Sequence, residues 1–486
     1  MPPTPWTDVY QAWGYGNSCP QLSTILNRVQ GDEDCLFLNI ATPTNIRARL
    51  PVVLSIHGGG LQFGDGGMSF LGPEYINQEN VVFVSFNYRL NVLGFLNTGD
   101  VNSPGNYGIK DMISVLRWIQ NNIEFFGGNP NDVTIMGISG GAVGVHALVV
   151  SPAASGLFHR ALSQSGSLFN IWGFNRNPSK SVQMLQENLG LVAANNVELL
   201  AQLRQVSVER LLNAAGLSSE RNPRLFDELS FSPSLDPATP TEPRIFPAPL
   251  RILISSGNIN QVPYMIGFNA IESLYSIRDI VTDATILERF NQNPNLLIPS
   301  EWNLTPNSPQ AFEVINAFRS IYFGGSPVIT QDMPWQWAQY VSDREFIFGI
   351  SKQARLHRIR QSIYYFRFSY VGSLSFAQRA FGLSELPGAM HGDDAFYLFR
   401  LNLGVTPVVP GDKAFTIQRR YVRLWTNFFK FSNPTPSVLD PLIETTWPQM
   451  TANDDFMDIG SVLSTGVHPN RVRMDAWHAF DIRFNP

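Results

Sequence analysis

Val133-Thr134-Ile135-Met136-Gly137-Ile138-Ser139-Gly140-Gly141-Ala142 is the stretch that decides the fold. Its first four residues are β-branched or apolar on consecutive positions, as in a strand buried on both faces. Gly137 ends that run, and Ala142 to Val150 reads as a helix stopped by Ser151-Pro152. Between them Gly137-Ile138-Ser139-Gly140-Gly141 matches Gly-x-Ser-x-Gly, in the strand-to-helix context this motif requires. A serine on so sharp a turn takes a strained backbone conformation, and its neighbours must lack bulk. The turn lifts the Ser139 hydroxyl above the carboxyl end of the sheet, over a helix N-terminus that favours developing negative charge. The bland alternative is a glycine-rich turn with an incidental serine, and the two flanks favour a nucleophile.

Upstream, Pro51-Val52-Val53-Leu54-Ser55-Ile56 and Val81-Val82-Phe83-Val84-Ser85-Phe86 are two more buried-strand runs. Ile109, Met112, Ile113, Leu116, Ile119 and Ile123 form one helical stripe, which Gly127-Gly128-Asn129-Pro130 stops. Strand-like runs resume at Pro263–Ile266 and Ile363–Phe368. Alternating strands and helices imply an α/β fold, with a mostly parallel central sheet flanked by helices. From Ser218 to Pro249 the pattern breaks, with six prolines between Pro233 and Pro249. That stretch is loop, and reads equally as an interdomain linker or as an ordered excursion over the ligand-binding edge of the sheet.

The 486 residues suggest a prior of about three domains. Hydrophobic residues make up 44%, enough for a sizeable core, which excludes collagen-like and disordered classes. Lys plus Arg is 34 against 39 for Asp plus Glu, so no basic balance points to nucleic acid. Two cysteines, Cys19 and Cys35, exclude four-cysteine zinc sites and iron–sulfur clusters. No apolar run approaches the ~18 residues of a membrane span. Met1-Pro2-Pro3-Thr4-Pro5-Trp6 has no signal-peptide character, and Arg483-Phe484-Asn485-Pro486 is neither a retention signal nor a lipid-anchor tail.

His57-Gly58-Gly59-Gly60 follows the first strand directly. The amides of Gly59 and Gly60, with that of Gly140, suit an oxyanion hole, and a plain tight turn is the alternative. His57 precedes the nucleophile and reads as structural. In this fold the order is Ser, then Asp or Glu, then His. His357 lies between Arg355 and Arg358, whose charge disfavours its protonation, and the pattern reads as an exposed helix face. His468 and His478 lack a glycine context. His391, in Gly388-Ala389-Met390-His391-Gly392-Asp393-Asp394, is the candidate base. Glu272, shortly after the strand that starts at Pro263, is singled out as the acid by position rather than by residue type.

These residues resemble the type-B carboxylesterases, the cholinesterase-like branch of the α/β-hydrolase fold, and those of arthropods above all. The matching stretches are Glu33-Asp34-Cys35-Leu36-Phe37-Leu38-Asn39, His57 to Gly60, Asn87-Tyr88-Arg89, Gly94-Phe95-Leu96, Gly105-Asn106-Tyr107-Gly108, Phe126 to Pro130, the elbow, Ser163-Gln164-Ser165-Gly166 and the loop of His391. The resemblance implies Ser139 as nucleophile, His391 as base, Glu272 as acid, and Gly59, Gly60 and Gly140 as the oxyanion hole. It implies Ser165 beside the triad, a Cys19–Cys35 disulfide, and no cofactor or metal. It also implies one domain over 1–486, with the proline-rich stretch as loop near the gorge.

Several positions depart from the family pattern. Ile138 stands where Glu is usual, Gly140 where Ala is, Met112 where Gln is, and Ser273 where Gly follows the acid. No Trp lies between Cys19 and Cys35, which with Ile138 argues against a cholinesterase. The elbow also differs from the Gly-Gln-Ser-Ala-Gly of a juvenile hormone esterase. The expected function is a serine carboxylesterase acting on a small-molecule ester of an uncharged alcohol, with no nucleic-acid partner. A non-catalytic adhesion or ligand-binding relative and a juvenile hormone esterase are the alternatives. The disulfide suggests secretion, and Asn303-Leu304-Thr305, followed by Pro306, matches an N-glycosylation triplet. Family members carry a segment ahead of Pro5-Trp6, so the chain is expected to lack N-terminal strands. The missing signal peptide is then no argument for the cytoplasmic alternative.

Overall fold

Nine strands run side by side through the centre of the computed structural model, which describes residues 7–23, 28–44, 49–216, 229–238, 243–402, 408–436 and 440–485. Met1-Pro2-Pro3-Thr4-Pro5-Trp6, Pro486, and residues 217–228 and 239–242 of the proline-rich stretch lie outside the described residues. In chain order the strands are β1 (Leu38–Ala41), β2 (Leu50–Ile56), β3 (Val82–Phe86), β4 (Gly128–Ile138), β5 (Arg160–Gln164), β6 (Tyr264–Asn269), β7 (Ile363–Phe368), β8 (Phe456–Ile459) and β9 (Leu463–Gly466). Their order across the sheet is β9-β8-β7-β6-β5-β4-β2-β3-β1. Only the edge pairs β1–β3 and β8–β9 are antiparallel.

The consecutive apolar residues are explained by two cores. Val52, Leu54 and Ile56 of β2 and Val82, Val84 and Phe86 of β3 join one cluster, and Val53 and Phe83 join the other. The first cluster is closed by α1 (Tyr107–Asn122) and α2 (Gly140–Val150), the second by a helix at Lys413–Phe431. Each fully buried large aliphatic side chain contributes about 1.5–3 kcal/mol.

The strand before the elbow begins earlier than its apolar run. Gly127 takes a left-handed conformation after a short 3-10 turn, Ile123–Phe126, and Gly128 at once pairs with Leu50. The Gly-Gly-Asn-Pro signal marks the turn correctly, but the ladder forms through its second glycine. The helix after the elbow likewise starts at Gly140 rather than at Ala142.

His357 is a correction. It is fully buried, not on an exposed face, and its Nε2 lies 3.1 Å from Nε2 of His146 in α2. Arg355 and Arg358 point elsewhere on the helix and both bond Asp454. Burial pushes His357 down to about 3.

Cys19 and Cys35 form a disulfide. Asn87, just after β3, donates to the Cys35 carbonyl at 2.9 Å and ties the closed loop to the sheet. The described parts of the proline-rich stretch form no helix or strand before Leu250. They cover the glycine loop and the start of α1: Gln62 Nε2 donates to the Phe231 carbonyl at 3.1 Å, and Asn106 Nδ2 donates to Asp236 Oδ1 at 2.8 Å. Among the described residues no helix is long and apolar enough to cross a membrane.

Candidate active site

Strand β4 delivers Ser139 directly onto α2. Ser139 has φ 59° and ψ −124°, a conformation that costs a non-glycine residue about 1–3 kcal/mol. Close packing holds it there. A Cβ on Gly141 would overlap the Ile56 carbonyl at the end of β2, so only glycine lets the elbow close. The Ser139 amide donates to the Gln164 carbonyl at 2.8 Å, and its own carbonyl accepts from Ala142 at 2.9 Å. Helix α2 is buried throughout, whereas Ser139 is partly exposed.

The glycine loop faces this turn. Gly59 and Gly60 have φ of 102° and 58°, conformations that glycine supplies without strain. Among the described residues neither amide donates to a protein acceptor, so both are free for an anionic oxygen. A Cβ on Gly140 would lie 2.9 Å from the Gly60 nitrogen and 2.8 Å from the Leu61 nitrogen. The missing methyl at Gly140 is therefore what lets the two backbones approach. His57 is half-buried, its ring stacked 4.3 Å from that of Tyr88, and desolvation pushes it down to about 4. Its Nδ1 lies 2.8 Å from the Gly58 carbonyl oxygen.

Glu272 follows β6 and has no exposed surface. Its Oε2 lies 2.7 Å from His391 Nδ1, and its Oε1 accepts from the Ser165 hydroxyl at 2.6 Å and the Asn269 amide at 2.7 Å. His391 retains 21% side-chain exposure, so the pair reaches solvent through the imidazole and not through the carboxylate. Burial pushes the imidazole down most strongly. The hydrogen bond and charge of Glu272, with the charges of Asp394 and Glu345, more than offset it and raise the ring above its ordinary value. Ser139 and His391 share no hydrogen bond; such catalytic contacts often tighten only in the Michaelis complex. They meet through Gln164–Ser165, which bonds the Ser139 amide on one side and Glu272 on the other.

Two groups around this pair escape a reading of the sequence. Asp394 is fully buried; its Oδ2 accepts from Gln164 Nε2 at 2.7 Å and from the Tyr421 hydroxyl at 3.1 Å, and its Oδ1 from Asn269 Nδ2 at 3.0 Å. Burial raises its carboxyl, against those bonds. The only signal was its place in the glycine loop of His391. The Phe346 ring lies 4.6 Å from the His391 ring, tilted by 37°, from a turn of π-helix at Asp343–Ile347. The charged triplet Asp343-Arg344-Glu345 inside an apolar helical run was the available clue, since buried charge demands partners.

The chain is similar to known esterases over nearly its whole length. It is 30% identical to a juvenile hormone esterase of Tribolium castaneum, over 90% of this chain and 76% of that one. It is 32% identical to Venom carboxylesterase-6 of Apis mellifera, over 96% and 84%. The crystal structure of juvenile hormone esterase from Manduca sexta, with OTFP covalently attached, superposes with a TM-score of 0.85 at 29% identity, over 99% of this chain and 91% of that one. The fold is thus that of the α/β-hydrolases. The model of the carboxylesterase family matches residues 1–477, and this chain belongs to that family of carboxylic ester hydrolases.

Proposed function

We propose that the chain is a serine carboxylesterase that hydrolyses esters of uncharged alcohols through an acyl-enzyme on Ser139. The observation that carries this reading is the 2.7 Å bond between Glu272 and His391 Nδ1, at the same carboxyl end of the sheet as a strained, partly exposed serine. Bonding at Nδ1 leaves Nε2 as the atom that takes the Ser139 proton during attack. Glu272 stabilises the imidazolium, and the amides of Gly59, Gly60 and Gly140 hold the oxyanion. His391 then returns the proton to the leaving alcohol, and a water, deprotonated by His391, releases the acid. Every group is supplied by side chains and amides, so the step requires neither metal nor cofactor.

The continuous nine-stranded sheet supports one domain over 1–486, and the Cys19–Cys35 bond supports secretion. The Asn303 side chain is exposed, which suits glycosylation at that triplet.

The test is hydrolysis of a short-chain chromogenic ester by the wild type and by Ser139→Ala. Activity in the first and none in folded Ser139→Ala is expected. Equal rates in both would remove Ser139 from the chemistry. Likeness to juvenile hormone esterases favours a second reading, hydrolysis of juvenile hormone itself. A kcat/KM for that hormone far above those for simple esters would favour it over the first.

A further inference from the structure

The loop that carries Glu272 is clamped from behind. The turn at Asp343–Ile347 joins two helices, Pro334–Ser342 and Phe348–His357, through a stretch of π-helix. Such turns insert an extra residue and re-aim side chains, and they recur at functional sites. Here Phe346 reaches the His391 ring, and Glu345, adjacent in sequence, reaches the residues just after Glu272. Phe346 lies against the His391 ring. Glu345 has no exposed surface, and its Oε2 accepts from the Ser273 hydroxyl and the Tyr275 hydroxyl, each at 2.9 Å. The Ser273 amide donates to Ser342 Oγ at 2.9 Å. The turn itself is pinned, with Trp172 Nε1 donating to the Glu345 carbonyl at 2.9 Å and Asn170 Nδ2 to that of Phe346 at 2.7 Å. The residue immediately after Glu272 is therefore held at both its amide and its hydroxyl. The glycine usual at that position in the resembled family has no hydroxyl to hold.

We propose that Glu345 is a positioning residue for ester hydrolysis, fixing Glu272 through Ser273 from the same turn that sets Phe346 against His391. The inference rests on the reading of Glu272 and His391 as the acid–base pair. Glu272 is bonded to His391 Nδ1, and the charges of Asp394, three residues on, and of Glu345, next to Phe346 in the π-turn, add to its effect. All three favour the protonated ring, against its burial. Glutamine at this position accepts the same two hydroxyls and removes the charge, so Glu345→Gln separates the contact from the charge.

The experiment compares wild type, Glu345→Gln, Ser273→Gly, their double variant and Ser139→Ala on one chromogenic ester across pH, with a thermal melt of each. In Glu345→Gln, kcat falls about five- to tenfold with KM nearly unchanged, and the acid limb of kcat/KM moves to lower pH. Ser273→Gly lowers kcat in the same direction, and the double variant loses less than the product of the single losses. A folded Glu345→Gln with wild-type kcat and acid limb, whatever its melting temperature, overturns the proposal. If Glu345→Gln does not fold, an unchanged kcat in Ser273→Gly overturns it and a lowered one supports it. Wild-type activity in Ser139→Ala would instead sink the reading of the triad on which the proposal rests.

Discussion

Glu272 and His391 are bonded twice: Oε2 lies 2.7 Å from Nδ1, and the His391 amide donates to the Glu272 carbonyl at 3.0 Å. The backbone bond survives when the carboxylate is replaced. Glu272→Gln should therefore keep the loop in place while losing the charge and the fixed tautomer. A fall in kcat of about 10³-fold or more is expected, with KM little changed. Steady-state kinetics on a chromogenic ester measure it, and a loss under tenfold would contradict the role given to Glu272.

The same pair sets the pH dependence. His391 must be neutral to act as base, and its environment raises it above the ordinary value of about 6.5. Activity is then full above that raised value and lost as pH falls through it, so the acid limb of kcat/KM has its midpoint above 6.5. The contribution of the pair to stability has the opposite sense. It is present below the unfolded value and lost as pH rises through the folded one. A pH–rate profile with an acid midpoint below 6.5 is the contrary result.

Ser165 donates to Glu272 Oε1 from a left-handed backbone position, φ 56°. In Ser165→Ala that oxygen keeps only the Asn269 amide. A hydrogen bond to a charged group contributes roughly 1.5–3 kcal/mol, so a kcat loss of about tenfold or more is expected. Its absence would assign Ser165 to packing alone.

Gly140→Ala restores the residue usual in the resembled family, yet it should harm this chain. The new Cβ would sit 2.8 Å from the Leu61 nitrogen and 2.9 Å from the Gly60 nitrogen, closer than real contacts allow. The glycine loop must withdraw from the elbow. Losing one oxyanion donor costs about 3 kcal/mol, an upper bound for this shift, so kcat should fall by up to ~10²-fold. A variant with equal or higher kcat would show that the loop yields freely.

The disulfide links residues 16 apart in sequence. In the chain-entropy model, closing a loop of that size stabilises by about 3 kcal/mol. Cys35→Ser should lower the urea midpoint accordingly, and an unchanged midpoint would mean that the reduced loop is equally ordered.

The elbow, the glycine loop and His391 are legible in the sequence because their chemistry needs glycines at fixed spacings. Glu272 is not legible by type. Its partner His391 lies 119 residues away and Ser165 lies 107 away, so only the fold reveals that they meet. Strand β5, Arg160–Gln164, escapes an apolar-run reading because it ends in Ser163-Gln164, whose polar groups are buried and bonded. His357 misleads for a related reason: neighbours in sequence on a helix face different surroundings. Glu345 and Asp394 belong to the same class, buried carboxylates whose partners come from distant segments.

The most direct measurement is mass spectrometry of the protein quenched during turnover of a slowly deacylated ester, followed by digestion. An acyl mass on the peptide containing Ser139, absent in Ser139→Ala, is the expected result. An active enzyme that carries no such adduct, or carries it elsewhere, would contradict the acyl-enzyme on Ser139.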